Sequence, residues 1–277
     1  MLVSNKKAIE KQYKQPSLYE DIVDRLIDKG IQLKNVTRSH LSGVDEFHIR
    51  GLEVSRELAD QASLKNKRIL DIGCGLGGPC RMLGDDYNCE TYGVDLSTDY
   101  IDAAKKLSNL VSAKIPSKFF VGDALDLPFE DGYFDVVWTQ HVQMNIEDKK
   151  RFYSEINRVL AKNGTFVYYD IFKQYPIEIN FPVPWADTNS LSYLQTVENM
   201  DSILRELHFV KEHTADQTDE ALEFLETVME SKKLNNKSAI GLNLLLGAES
   251  EEKFGNVLNA LQCGKIELQS GVYKKIL

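Results

Sequence analysis

Cysteine is scarce in this chain. Cys74, Cys80, Cys89 and Cys263 are the four among 277 residues, with no C-x-x-C pair and no histidine at metal-ligand spacing. That excludes the usual zinc modules and disulfide frameworks, leaves no metal site to expect, and favours reduced, mostly buried thiols. No apolar run approaches the ~20 residues that span a bilayer. The opening MLVSNKKAIEKQYKQPSLYEDIV has no apolar core of signal-peptide length, so a cytoplasmic location with no membrane partner is the default expectation. Basic clusters are missing as well: 33 Lys and Arg stand against 42 Asp and Glu, a net charge of −9. A polyanion would meet net repulsion, so no nucleic-acid partner is expected. There is no internal repeat and no low-complexity tract.

What is present is ordinary globular material, 43% hydrophobic and 27% charged. It suffices for one large domain, or one domain with a sizeable insertion. The most informative stretch is LDIGCGLGG, Leu70 to Gly78. It describes a strand ending in the carboxylate Asp71, a turn that glycines make best, and a helix start at which Pro79 sacrifices no hydrogen bond. Asp95 follows one helix later. Such a turn lets a nucleotide-like ligand lie against bare backbone, and the later acid can bind a ribose. Gly73, Gly75 and Gly78 satisfy G-x-G-x-x-G, whereas Gly73, Gly75 and Gly77 satisfy G-x-G-x-G. The motif alone does not choose between them.

From about residue 66 to 170 strands and helices alternate with short connections, the pattern of a parallel α/β sheet. Strands are expected at Arg68–Ile72, Glu90–Val94, Lys118–Val121, Phe134–Trp138 and Thr165–Tyr169. Thr98 is placed to cap the helix that carries Ile101, Ala104, Leu107, Leu110 and Val111 along one side. Gly164 is placed to stop the helix that carries Phe152, Ile156, Val159 and Leu160. Residues 1–65 form an expected helical cap, with helices around Ile22–Ile27 and Leu52–Ala59. The domain proper is then 66–277, with lid insertions at about 174–200 and 218–262. The first, with Pro176, Pro182, Pro184 and Trp185, reads as an ordered loop. The second reads as helical. A helix at Met200–Leu207, a strand at His208–His213 and a terminal strand in GVYKKIL complete the pattern. These extra pieces should cover the carboxyl ends of the strands, where open α/β sheets bind ligands.

Residues beyond the glycines bear on the ligand. A dinucleotide needs its pyrophosphate at the helix N-terminus, and Asp71 would be an odd neighbour for it. S-adenosylmethionine has no phosphate, and an acid at Asp71 could attract its ammonium or sulfonium. Asp95 is placed for a ribose diol, and Asp123-Ala124 for an adenine edge. LDIGCGLGG, GVDLS, VGDALDLPFEDGYFDVVWTQ and EINRVLAKNGTFVYYD, in this order and spacing, resemble the class I S-adenosylmethionine-dependent methyltransferases over about residues 66–173. The resemblance implies a Rossmann-like seven-stranded doubly wound α/β sheet with its last strand antiparallel. It places Asp71, Gly73, Gly75 and Gly77 around the methionine end of S-adenosyl-L-methionine, and Cys74, small enough to fit between two of the glycines, is expected to line the same cofactor pocket. Asp95 and Leu96 then fall at ribose and adenine, Asp123 and Ala124 at adenine, and Gln140 just after strand four. DEFHIRG at 45–51 and PVPWA at 182–186 look most like the small-molecule branch that includes sarcosine/dimethylglycine and phosphoethanolamine N-methyltransferases.

Methyl transfer is an in-line displacement in which alignment supplies much of the acceleration. His141, following strand four, is the candidate general base; its competing role is a hydrogen-bonding wall. Tyr169-Asp170 could neutralise a cationic amine, or simply end a strand. Arg50 could pair with the methionine carboxylate, or form a surface salt bridge. Phe47, His48 and Trp185 are candidates for the substrate wall, where aromatic faces attract a cationic amine. The expected function is methylation of a small-molecule acceptor, an amine nitrogen before an oxygen or carbon. A nicotinamide-dependent oxidoreductase and a non-catalytic S-adenosylmethionine-binding protein are the rival classes.

Overall fold

A computed structural model describes residues 8–10, 12–174, 178–233, 241 and 243–276. The helices ahead of the sheet include α1 (Leu18–Asp28), α2 (Arg38–Asp45) and α3 (Leu52–Gln61). Then β1 (Arg68–Ile72), α4 (Gly78–Tyr87), β2 (Glu90–Asp95), α5 (Thr98–Leu110) and β3 (Lys118–Val121) build one wing. The other wing comprises β4 (Phe134–Gln140), α6 (Lys149–Val159), β5 (Leu160–Lys173), α7 (Val197–Glu206) and β6 (Phe209–Asp216). Helices α8 (Thr218–Lys233) and α9 (Ser250–Gln262) come before the final strand β7 (Ile266–Lys275).

The seven strands lie in the order β3-β2-β1-β4-β5-β7-β6. Pairings from β3 through β5 are parallel, while β7 runs antiparallel to both β5 and β6. The expected fold class is therefore the observed one. Its cause is visible in β4, which is apolar at successive positions because both faces are covered. Val136 and Trp138 join a core with Leu58, Leu83 and Leu261, from α3, α4 and α9. Val137, between them, joins the opposite core with Phe152, Ile156 and Leu204, from α6 and α7. A third core packs Ile22, Leu26 and Leu41 of the N-terminal helices against Leu76 and Tyr100.

Two local expectations are corrected. The cap of α5 is Ser97 rather than Thr98: the Ser97 hydroxyl accepts from the Tyr100 N–H. Thr98 is already the first helical residue. Gly164 does not stop α6, which ends at Val159, because β5 begins directly at Leu160. Gly164 lies inside that strand, where a Cβ would sit 2.8 Å from the Ala161 carbonyl oxygen; close packing, not a helix stop, demands glycine there. Of the first insertion, residues 175–177 lie outside the described residues, as do 234–240 and 242 of the second. Among the described residues no helix is long and apolar enough to cross a membrane.

Candidate active site

A cavity of about 200 Å³ sits beyond the carboxyl ends of the central strands. The β1–α4 turn forms one wall, and its shape follows from glycine backbone geometry. Gly73, Gly75 and Gly77 have φ of 72°, 51° and 78°, a region where side chains are strained. Gly78 is not left-handed, yet a Cβ on it would lie 2.2 Å from the Asp45 carbonyl oxygen. Both overlapping glycine patterns are thus occupied for physical reasons, the first by backbone conformation and the second by close approach of the N-terminal cap. Beneath the turn, Arg81 is fully buried and donates to Asp45 Oδ1 at 2.6 Å, the Leu76 carbonyl at 2.7 Å and Ser108 Oγ at 2.9 Å.

Acidic groups surround this half of the cavity. Asp71, at the end of β1, is buried, and burial pushes its carboxyl well above the usual range. The Cys80 thiol donates to it at 3.4 Å. Burial also raises Asp95, opposed by the N–H groups that bind it. Its two oxygens accept from Gly75 N–H at 3.0 Å and Ser97 N–H at 2.9 Å, leaving further acceptor capacity on the carboxylate. Asp45 is pushed up to about 6, again by burial and against the pull of Arg81. Asp123 Oδ1 accepts from the Leu125 N–H at 2.9 Å.

The structure brings together on the cavity wall Asp71, Gly73, Cys74, Gly75, Asp95 and Leu96 from the sequence-derived set. Asp123, Ala124, Gln140, His141, Phe47, His48 and Trp185 line it too. Gly77 lies behind the wall, its would-be Cβ 2.5 Å from the Phe119 ring. Arg50 is placed elsewhere: its guanidinium bonds Glu57 at 2.7 and 3.0 Å and Gln217 at 2.5 Å, and it does not line the cavity. A left-handed Arg50-Gly51 turn (φ 67° and 53°) precedes α3, and the Glu57 partner lies on that helix. Tyr169 and Asp170 are also withdrawn from the wall and act on what lies in front of them. The Tyr169 ring stacks on His141, centroids 5.1 Å apart, and its carbonyl accepts the His141 N–H at 2.8 Å. Asp170 Oδ2 accepts from Val142 N–H at 3.2 Å and Gln143 N–H at 3.1 Å, holding the loop after β4.

His141 itself has φ 52°, a strained value for a non-glycine residue, of the kind that concentrates at functional sites. Its Nε2 is buried with no protein partner. Burial first, and His48 second, pull its pKa well below 6.5, so the ring is neutral at physiological pH. His48, 6.0 Å away between ring centroids, lies with Nε2 2.8 Å from Glu46 Oε2. Ser55 and Gln140 extend that buried network to the Trp138 indole N–H. Sequence reasoning missed Tyr13, Asp45, Phe224, Phe254 and Val257, which also line the cavity. Phe254 and Val257 share the i, i+3 face of an apolar helix, and that spacing marks a buried face without saying what it is buried against.

Asp170 makes the site's pH dependence testable. Burial raises its carboxyl from 3.8 to about 7, against its three backbone donors. Between those values the folded protein holds a proton that the unfolded chain has lost. The stability is fully present below pH ~4 and is lost as pH rises through 7. Asp170→Asn keeps an acceptor oxygen and removes the titration. Its melting temperature should match wild type near pH 4 and exceed it by several degrees at pH 8. Parallel melting curves across that range would count against the assignment.

Residues 70–168 match a family model described as a methyltransferase domain. The matched region runs from β1 into β5, and over it the chain is similar to methyltransferase domains. It is 35% identical over 144 residues to the chloroplastic tocopherol O-methyltransferase of Arabidopsis thaliana, covering 50% of this chain and 40% of that one. It is 34% identical over 111 residues to ajmaline N-methyltransferase of Rauvolfia serpentina, covering 40% and 38%. The chain thus spans less than half the length of these curated relatives. Among solved structures it resembles phosphoethanolamine N-methyltransferase 2 of Haemonchus contortus in complex with S-adenosyl-L-methionine. That match has a TM-score of 0.71 at 18% identity and covers 92% of this chain and 60% of the other.

Proposed function

We propose that the protein is an S-adenosylmethionine-dependent methyltransferase acting on a small molecule, with an amine nitrogen as the favoured acceptor. One observation carries this reading: the nucleotide-sized cavity at the glycine turn is lined by Asp45, Asp71, Asp95 and Asp123 and, among the described residues, by no lysine or arginine. A dinucleotide pyrophosphate would meet no guanidinium or ammonium among the described lining residues, whereas these carboxyl groups can accept hydrogen bonds from a ligand's ammonium and hydroxyls. Room for close backbone approach is present too, since a Cβ on Gly75 would meet nothing within 4 Å.

In this reading Asp71 and the Gly73–Gly75 backbone hold the methionine end, Asp95 takes the ribose with its spare acceptor capacity, and Leu96, Asp123 and Ala124 frame the adenine. When bound, the cofactor supplies a methyl group whose carbon bonds to the acceptor lone pair as the carbon–sulfur bond breaks, its electron pair staying on sulfur in S-adenosylhomocysteine. His141, whose residue lines the cavity and whose Nε2 has no protein partner, is the neutral acceptor for the proton carried by the amine in this reading, a role that needs the ring to turn Nε2 toward the acceptor. The aromatic faces of Phe47 and Trp185 favour a cationic acceptor before it loses that proton. Asp170, withdrawn from the wall, contributes by fixing the His141 loop. The described parts of the segments 1–65, 174–200 and 218–262 act as the lid that excludes water, and a cytoplasmic setting belongs to the same proposal.

Calorimetry tests it. S-adenosylmethionine and S-adenosylhomocysteine should bind, NADH should not, and RNA should give no salt-dependent binding. Asp95→Ala should weaken S-adenosylhomocysteine at least tenfold, about 1.4 kcal/mol. An unchanged dissociation constant would remove Asp95 from the site. Binding without turnover of any amine or hydroxyl acceptor in a metabolite pool would instead favour a non-catalytic binding protein.

A further inference from the structure

The half of the cavity away from the glycine turn has a chemistry of its own. Phe47, Met144, Ile146, Trp185, Phe224 and Phe254 make its wall apolar and largely aromatic. Tyr13, His48, Gln140, His141 and Asn145 add polar groups to the lining, and Asn145 is already engaged: its Oδ1 accepts from the Tyr13 hydroxyl at 3.0 Å and its Nδ2 donates to the Trp185 carbonyl at 2.7 Å. Four cations in the surrounding elements are committed elsewhere. Arg50 bonds Glu57 and Gln217, Arg81 bonds Asp45, Lys149 donates to the Gln143 and Ile146 carbonyls, and Lys253 pairs with Asp187 at 2.8 Å. Among the described residues none of them lines the cavity.

A carboxylate or phosphate entering this half would give up its hydration and find no guanidinium or ammonium among the described lining residues, an uncompensated burial of charge. A protonated amine on an apolar body meets the reverse: aromatic faces, distant carboxylates and a contact surface that matches its skeleton.

We propose that the acceptor is an apolar amine carrying no carboxylate, phosphate or sulfate group, and that zwitterionic and phosphorylated amines are rejected. The inference rests on the methyltransferase reading above, and it separates this pocket from one built for an anionic acceptor.

The test is calorimetry on the full chain loaded with S-adenosylhomocysteine. The titrants are 2-phenylethylamine, phenylalanine (the same skeleton with a carboxylate) and phosphoethanolamine. Loading comes first, and failure of S-adenosylhomocysteine to bind would overturn the methyltransferase reading and the inference with it. In the loaded protein, 2-phenylethylamine should bind at least tenfold more tightly than phenylalanine, with phosphoethanolamine weaker still. Equal or tighter binding of either anionic compound, or binding of none of the three, overturns the inference while leaving the cofactor reading intact. Phe224→Arg gives a second measurement, because it sets a guanidinium at the apolar wall. In a variant that still binds S-adenosylhomocysteine, the preference for 2-phenylethylamine should fall at least tenfold. An unaltered ratio counts against the proposal, and the wild-type comparison decides even where the variant does not fold.

Discussion

Gly78→Ala should weaken S-adenosylhomocysteine at least a hundredfold and lower the melting temperature. The added Cβ would lie 2.2 Å from the Asp45 carbonyl oxygen and 2.7 Å from its carbon. Both are backbone atoms, so no rotamer change relieves the clash. Either the start of α4 or the end of α2 must retreat by more than ~1 Å to reach normal contact. Retreat of α2 draws Asp45 away from Arg81, a pair 2.6 Å apart with Arg81 fully buried. It also lifts the cap from the turn that shapes the ligand wall. Overpacking of this kind costs about 1–3 kcal/mol, roughly 2–10 °C for a domain of this size. Gly75→Ala is the informative comparison. Its Cβ meets nothing within 4 Å, and φ 51° is the protein's own constraint there, about 1–2 kcal/mol of strain. It should lose affinity with a smaller thermal penalty. An unshifted melting temperature in Gly78→Ala would show that the cap does not bear on the turn.

His141→Ala should lower turnover by about 10²- to 10⁴-fold, the range for loss of a positioned base, while cofactor affinity changes by less than about threefold. The ring lines the cavity with Nε2 buried and unpartnered, backed by the Tyr169 ring at 5.1 Å. Removing it leaves the glycine turn untouched. The sign of the pH dependence follows from the same burial. Burial holds the His141 pKa well below 6.5, so acid protonates it less readily than an exposed imidazole. Wild-type turnover in His141→Ala would reduce the residue to a wall, and a pH profile with a midpoint near 6.5 that vanishes in the variant would contradict the buried, neutral ring.

The α/β alternation and the glycine turn were legible because they are local. Apolar runs such as Phe134–Trp138 and the LDIGCGLGG turn carry their own backbone requirements, which no distant contact overrides. Legibility failed where a residue's partner lies far along the chain. Arg50 offered its guanidinium to a ligand in the sequence, but Glu57 and Gln217, 167 residues from it in the latter case, had already taken it. Tyr169 and Asp170 sit at the end of the right strand, yet one turns its ring to His141 and the other spends its carboxylate on the 142–143 backbone. Ser97 displaced Thr98 as a cap by a single residue, within the resolution of any capping rule.

By itself the sequence determined the class of sheet, the position of the ligand turn and the acids that flank it, because strand periodicity and glycine conformation act over a few residues. Only the tertiary structure decided which side chains reach the cavity. Burial and hydrogen-bond satisfaction are global constraints, and they committed Arg50, Arg81, Lys149 and Lys253 elsewhere while leaving His141 Nε2 without a partner.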